Sequence, residues 1–154
     1  MNIDSLRWWK PESIPKYPHM GKLDSFTADM YWKDNIFQFD AVSYDVTVGG
    51  GRSMLPGFSD ALADDWLYLS SLKIDMIGKR NLNLTICEFK PFADAGSIGQ
   101  VLTYGKLFVD KFALKTQPDL CVICMETHQD IIRAANALNV RFVVCNISGP
   151  SKLY

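Results

Sequence analysis

From residue 72 onward, short apolar runs alternate with stretches of helical period. Leu72–Gly78 and Leu82–Lys90 read as strands joined by a turn region at Lys79–Asn81. Pro91 has no N–H to give and is expected to stop the second strand. Ser97–Phe112 places Ile98, Val101, Leu102, Phe108, Val109 and Phe112 along one side, which predicts a helix. Leu120–Met125 is a continuous apolar run after Pro118 and Asp119, as in a strand buried on both faces. Thr127 and Asp130 form an N-terminal capping signature for a helix to about Leu138, Val140–Ile147 is the last strand and Ser148–Tyr154 a tail. The order β-β-α-β-α-β predicts an α/β fold: a mixed sheet flanked by helices.

Upstream the pattern is less regular. Residues 1–35 read as an irregular N-terminal arm with a short helix near Ser25–Tyr31. Residues 36–71 hold a strand over Phe37–Val48, with room for a bulge, then the break Gly49-Gly50-Gly51 and a helix over Gly57–Ser70. Ser59 suits the cap of that helix, and Leu62, Trp66 and Leu69 its buried stripe. Residues 72–147 form the core of what reads as a single domain over 1–154.

Composition narrows the class. The net charge of −1 and 48% hydrophobic content exclude a disordered chain and a protein that coats nucleic acid through massed Lys and Arg. No apolar run reaches the ~18 residues of a membrane span, so no membrane partner is expected. Residues 1–13 have acid in place of a basic leader and no apolar segment, so no signal peptide is expected. Cys87, Cys121, Cys124 and Cys145 all fall in apolar runs. Cys121 and Cys124 are three apart on a strand, so they point to opposite faces and read as buried reduced thiols in a cytoplasmic protein.

The candidate chemistry lies on the hairpin. A register with Asp75 opposite Glu88 and a turn centred on Asn81-Leu82 gives one wholly apolar face: Leu72, Ile74, Met76, Cys87 and Phe89. The other face carries Lys73, Asp75, Ile77, Ile86, Glu88 and Lys90. A slip of one residue would mix the two sets, so the pattern selects this register. Two carboxylates and a lysine then converge. The carboxylates repel, and a divalent cation resolves the repulsion; oxygen donors of this kind suit Mg²⁺ or Mn²⁺. Lys90 could hold or help deprotonate a water and steady a phosphate, which together make up metal-assisted phosphodiester hydrolysis. Gln100 and Tyr104 share a face of the next helix and can bond a phosphate or orient Lys90. Gly96 and Gly99 leave its start open to a nucleic-acid backbone, and Lys106 further along could track one.

The run Ile74-Asp75, then Glu88-Phe89-Lys90-Pro91, then Gly99-Gln100 and Tyr104 resembles the PD-(D/E)XK nuclease superfamily. The stretch Cys87–Phe108 is also similar to small uncharacterised phage and prophage proteins. The resemblance covers about Leu72–Ile147 and implies a restriction-endonuclease-like ββαβαβ core with an N-terminal extension. It implies that Asp75, Glu88 and the Phe89 carbonyl hold Mg²⁺ or Mn²⁺, that Lys90 positions the water, and that Gln100 supports Lys90 or a phosphate. It implies Gly99, Gln100, Tyr104 and Lys106 at the nucleic acid, DNA first among substrates, and products with a 5′-phosphate and a 3′-hydroxyl. By analogy it also implies a homodimer and, for a phage protein, the host cytoplasm. The family's further acid comes from a preceding helix; Asp65 is favoured over Asp60 and Asp64, with a helix around Asp29 as another source. Ile74 stands where the family usually has Pro. The alternative is the same fold without catalysis, serving as a nucleic-acid-binding or protein-interaction module. A further alternative is an unrelated α/β enzyme with Glu88 and Lys90 as a surface ion pair; Asp75 and Glu88 on opposite faces would favour it.

Elsewhere the residues favour plain roles. His19 and His128 are far apart. Asp45 reads as a solvated strand edge, Gly49–Gly51 with Arg52 as a turn rather than a phosphate loop, and Trp8 and Trp9 as packing rather than base stacking.

Overall fold

The structure, a computed structural model, describes residues 2–52, 57 and 59–154. Among these residues six strands form one mixed sheet in chain order: β1 (Ala41–Thr47), β2 (Lys73–Arg80), β3 (Asn83–Ala93), β4 (Asp119–Thr127), β5 (Val140–Val144) and β6 (Lys152–Leu153). The pairs β1–β2, β2–β3 and β5–β6 are antiparallel, and β3–β4 and β4–β5 are parallel. Parallel neighbours need crossover helices. These are α3 (Ala95–Phe112) and α4 (Gln129–Ala137). Helix α1 (Lys22–Asp34) packs on β3 and β4, and α2 (Asp60–Ser70) lies between β1 and β2 in sequence. None of the described helices is long and apolar enough to cross a membrane.

The core has two parts, one on each side of the sheet. Ile77, Ile86, Val122 and Phe142 pack with Val101, Tyr104 and Phe108 of α3 and Ile132 and Ala135 of α4. Met76, Cys87, Phe89, Cys121, Ile123 and Val143 pack with Ala28, Met30, Tyr31 and Trp32 of α1. β4 is therefore buried on both faces, which is why its sequence reads as an unbroken apolar run. Cys121 and Cys124 do fall in opposite layers, and all four cysteines are buried free thiols.

The hairpin register is the one the apolar pattern selects: Met76 faces Cys87 and Arg80 faces Asn83, with Asn81-Leu82 at the turn. The face assignment holds only up to Asp75. Met76 joins the α1 layer, but Ile74 joins the α3 layer and Leu72 is exposed. The neighbouring strand changes face at the same level, with Tyr44 in the α1 layer and Val46 in the α3 layer. Between them Asp45 has φ +56, an irregularity the sequence allowed for as a bulge.

Other expectations need correction. The short helix expected near Ser25–Tyr31 is present but longer, Lys22–Asp34, and it takes that part of the arm into the core through Ala28, Met30, Tyr31 and Trp32. Pro91 does not end β3, which runs to Ala93. Phe89 N–H points toward β2, so the Pro91 nitrogen, two residues on, points there too; the β2 ladder has already ended at Met76, and no hydrogen bond is lost. Helix α2 is present and capped by Ser59, but none of its residues is buried, and Leu62, Trp66 and Leu69 are exposed. Phe58, inside the helix expected over 57–70, lies outside the described residues. Thr127 does not cap α4; its hydroxyl donates to the Ala93 carbonyl. The tail holds β6, which pairs with β5. Trp9 exchanges two backbone bonds with Val42, so the residues before α1 cover part of the β1 edge.

Candidate functional site

Asp75 and Glu88 face each other where β2 and β3 part. The ladder stops at Met76–Cys87, and the Asp75 side chain takes over: its Oδ2 accepts from Phe89 N–H at 2.9 Å. In an extended strand a residue's N–H and C=O point to the same neighbour, so the Phe89 carbonyl faces this gap as well. Glu88 is 1% exposed. Its Oε1 lies 3.0 Å from Lys90 Nζ, two residues along the same face, and its Oε2 is buried without a donor among the described residues.

The electrostatics follow from that packing. Burial, and then the charge of Asp75, push the Glu88 carboxyl up to about 8. Burial pushes Asp75 up to about 6, against the Phe89 N–H and the Lys90 charge, which favour its anion. Around neutral pH the pair thus retains a proton. Lys90 loses hydration, which works against its charge, but Glu88, Asp75 and Asp24 carry its pKa upward and it stays an ammonium. Asp24, in the first turn of α1, adds its negative field to all three.

Gln100 and Tyr104 stand over the site from α3, where Gln100 Nε2 donates to Tyr104 Oη at 2.8 Å. Burial keeps Tyr104 a phenol, and the charges of Glu88 and Asp75 reinforce this. Helix α3 starts at an Asp94–Ser97 capping box, with Gly99 exposed on its first turns. Lys106 is exposed and paired with Asp110.

The structure therefore brings together Asp75, Glu88, Lys90, the Phe89 backbone, Gln100 and Tyr104. It leaves Asp65 on exposed α2; the further acid acting on the cluster is Asp24. Sequence reasoning missed Asp24 because the helix that presents it begins at Lys22, three residues before the expected start at Ser25. It also missed a second polar group. His19 Nε2 lies 2.6 Å from Tyr68 Oη and 3.3 Å from Asp45 Oδ2, and Tyr68 Oη donates to Asp45 at 3.2 Å. The β1–β2 register sets Asp45 level with Asp75, so three adjacent strands carry an acid at one height. No spacing in the chain links residues 19, 45 and 68.

The donor set fits a small hard cation. Mg²⁺ and Mn²⁺ accept one or two carboxylates, a carbonyl and waters. Here a buried Glu88 oxygen has no donor among the described residues, and burial together with the Asp75 charge holds the Glu88 carboxyl well above its ordinary range. Among the described residues, no three His, Cys, Asp or Glu side chains cluster closely enough to hold an ion by themselves. Water and the Phe89 carbonyl would complete the shell. Comparisons with protein-family models, curated proteins and solved structures give no match for this chain.

Proposed function

We propose that this α/β protein is a restriction-endonuclease-like, metal-dependent nuclease that hydrolyses phosphodiester bonds, with DNA as substrate. The observation that carries the reading is Glu88: a fully buried carboxylate, paired on one oxygen with Lys90, orphaned on the other, and set against Asp75. A purely structural pair gains nothing from a second charge at that point: an asparagine would accept from Phe89 N–H equally well without raising the cost of burying Glu88.

Asp75, Glu88 and the Phe89 carbonyl would hold Mg²⁺ or Mn²⁺. The cation supplies the positive charge that offsets the carboxylates and the approaching phosphate. Lys90, anchored by Glu88 Oε1, donates to the attacking water and fixes it on the phosphate's far side from the leaving oxygen. Gln100 and Tyr104 offer hydrogen-bonding groups on the α3 side for a non-bridging phosphate oxygen. Water adds to phosphorus as the P–O3′ bond breaks; the water releases its proton to solvent and the departing 3′-oxygen takes one from solvent, giving a 5′-phosphate and a 3′-hydroxyl.

The test is cleavage of labelled single-stranded, duplex and branched DNA with Mg²⁺ or Mn²⁺ by the wild type, Glu88→Gln and Lys90→Ala. Metal-dependent cutting that both substitutions abolish supports the reading. No cutting, together with no Mn²⁺ binding by calorimetry, overturns it in favour of a non-catalytic module. Cutting that survives both substitutions removes these residues from the chemistry.

A further inference from the structure

A groove of about 720 Å³ opens beside the candidate site, across the carboxyl ends of the parallel strands β3, β4 and β5. It shares two chain segments with that site. On α1, Asp24 acts on the carboxylate pair while its neighbours Leu23 and Phe26 line the groove. On β3, Lys90 belongs to the site while Pro91 and Phe92, the next two residues, line the groove. The rim is apolar and open: Phe92 is 67% exposed, Leu23 61% and Phe26 47%.

We propose that this groove binds the unpaired bases of single-stranded nucleic acid next to the scissile phosphate, with Phe92 and Phe26 as stacking surfaces; the proposal rests on the nuclease reading and names its substrate form. Pro91 and Phe92 follow Lys90 directly on β3, so a strand whose phosphate meets Lys90 can lay its neighbouring nucleotide over them. In a duplex the base faces are already stacked on one another and cannot cover an aromatic rim. An unpaired base can, and every base has a face to offer. The volume fits: ligand cavities run from about 300 to 1,000 Å³. Charge agrees at both ends. Lys152 lies on the groove wall, and Phe26 is shared with an adjoining cavity of about 390 Å³ that carries Lys16 and Lys22, placed to meet flanking phosphates. Of the acids along this path, Asp24 directs its field at the carboxylate pair where the cation would sit, Asp29 is engaged by Ser13 and Tyr17, and Glu126 lies on the wall where bases rather than phosphates would sit.

The experiment measures fluorescence anisotropy of a labelled twelve-nucleotide oligo-dT and of a blunt duplex of equal length. Ca²⁺ replaces Mg²⁺, and the proteins are the wild type, Phe92→Ala, Phe26→Ala and Phe92→Trp. The expected result is tighter binding of the single strand than of the duplex by the wild type. Each alanine variant loses roughly 10- to 100-fold on the single strand, the range that stacking of one base covers. Duplex binding is unchanged, and Phe92→Trp retains single-strand affinity with its indole emission quenched. Both aromatics are exposed, so an unchanged melting curve is expected and separates lost stacking from lost folding. Equal single-strand binding by the wild type and Phe92→Ala overturns the proposal; if both proteins still cut DNA, the nuclease reading stands. Tighter duplex binding overturns it in the same way. Absence of binding to either probe, with no cleavage, removes both readings. A wild-type dimer that Phe92→Ala turns into a monomer, with DNA binding unmoved, makes the groove a self-association face and overturns the proposal.

Discussion

Replacing Glu88 by Gln in the metal-free protein should stabilise it at alkaline pH and do little at acid pH. The substitution keeps the size of a side chain that is 1% exposed and removes its charge. Two effects oppose each other. The amide loses the ionic bond to Lys90 at 3.0 Å, but it ends the burial of a carboxylate beside Asp75. The second effect dominates, because the Glu88 carboxyl stands above its ordinary 4.5, at about 8. The folded state therefore holds a proton that the unfolded chain releases. Stability is full below pH 4.5, falls as pH rises, and levels off above pH 8. The gap between the two values sets a ceiling of about 5 kcal/mol. That gap is already net of the Lys90 attraction; Asp75 takes up part of the shared proton, leaving about 3 kcal/mol for the substitution at pH 8.5. For a chain of this length that is a rise of roughly 6–12 °C in melting temperature. Calorimetric scans of both proteins from pH 5 to 9, in EDTA, measure it. Mn²⁺ should recover the lost stability in the wild type at pH 8.5 and not in Glu88→Gln. Parallel pH profiles for the two proteins would refute the reasoning, since they would mean that the Lys90 pair fully compensates the buried charge.

Three further outcomes are expected. Asp24→Asn should weaken Mn²⁺ binding by roughly tenfold, the size of one screened carboxylate field on the site, whereas Asp65→Asn should leave it unchanged; titration calorimetry compares them. Gly78→Ala should destabilise the protein by about 1–3 kcal/mol in urea unfolding, because an added Cβ meets the Phe39 ring at 2.3 Å. The native protein should react with a thiol reagent only at its opening rate, since Cys87, Cys121, Cys124 and Cys145 are all buried; fast labelling of even one cysteine under native conditions would contradict the packing around β4.

The core from β2 to β5 was legible because its signals are local. Hydrophobic alternation fixes the hairpin register, and register alone puts Asp75 beside Glu88 and Lys90. Helix period places Gln100 one turn from Tyr104. What escaped the sequence depends on packing between distant segments. Helix α1 mixes Trp, Tyr and Met with charge around its whole circumference, since its buried face meets a wide sheet, so no clean stripe announces it. Pro91 reads as a stop unless one knows that β2 has already turned away. Leu62, Trp66 and Leu69 follow a core pattern on a helix that buries none of them. Asp24 and the His19–Asp45–Tyr68 contacts are assembled by the loop before α1 and by the left-handed residue in β1.

The bond from Phe89 N–H to the Asp75 carboxylate gives one side chain two employments, scaffold and chemistry, and these answer to different selective pressures. Alanine at 75 strips a main-chain donor of its acceptor as well as removing an acid, so its phenotype mixes folding with function; asparagine retains the acceptor and separates the two. Over evolutionary time the three polar positions should then decay unequally. In a lineage that abandons catalysis, Glu88 and Lys90 are free to disappear together as an apolar pair, while position 75 stays restricted to Asp or Asn. A family of such descendants would preserve the first acid of the motif as a fossil of geometry, long after the other two had drifted away.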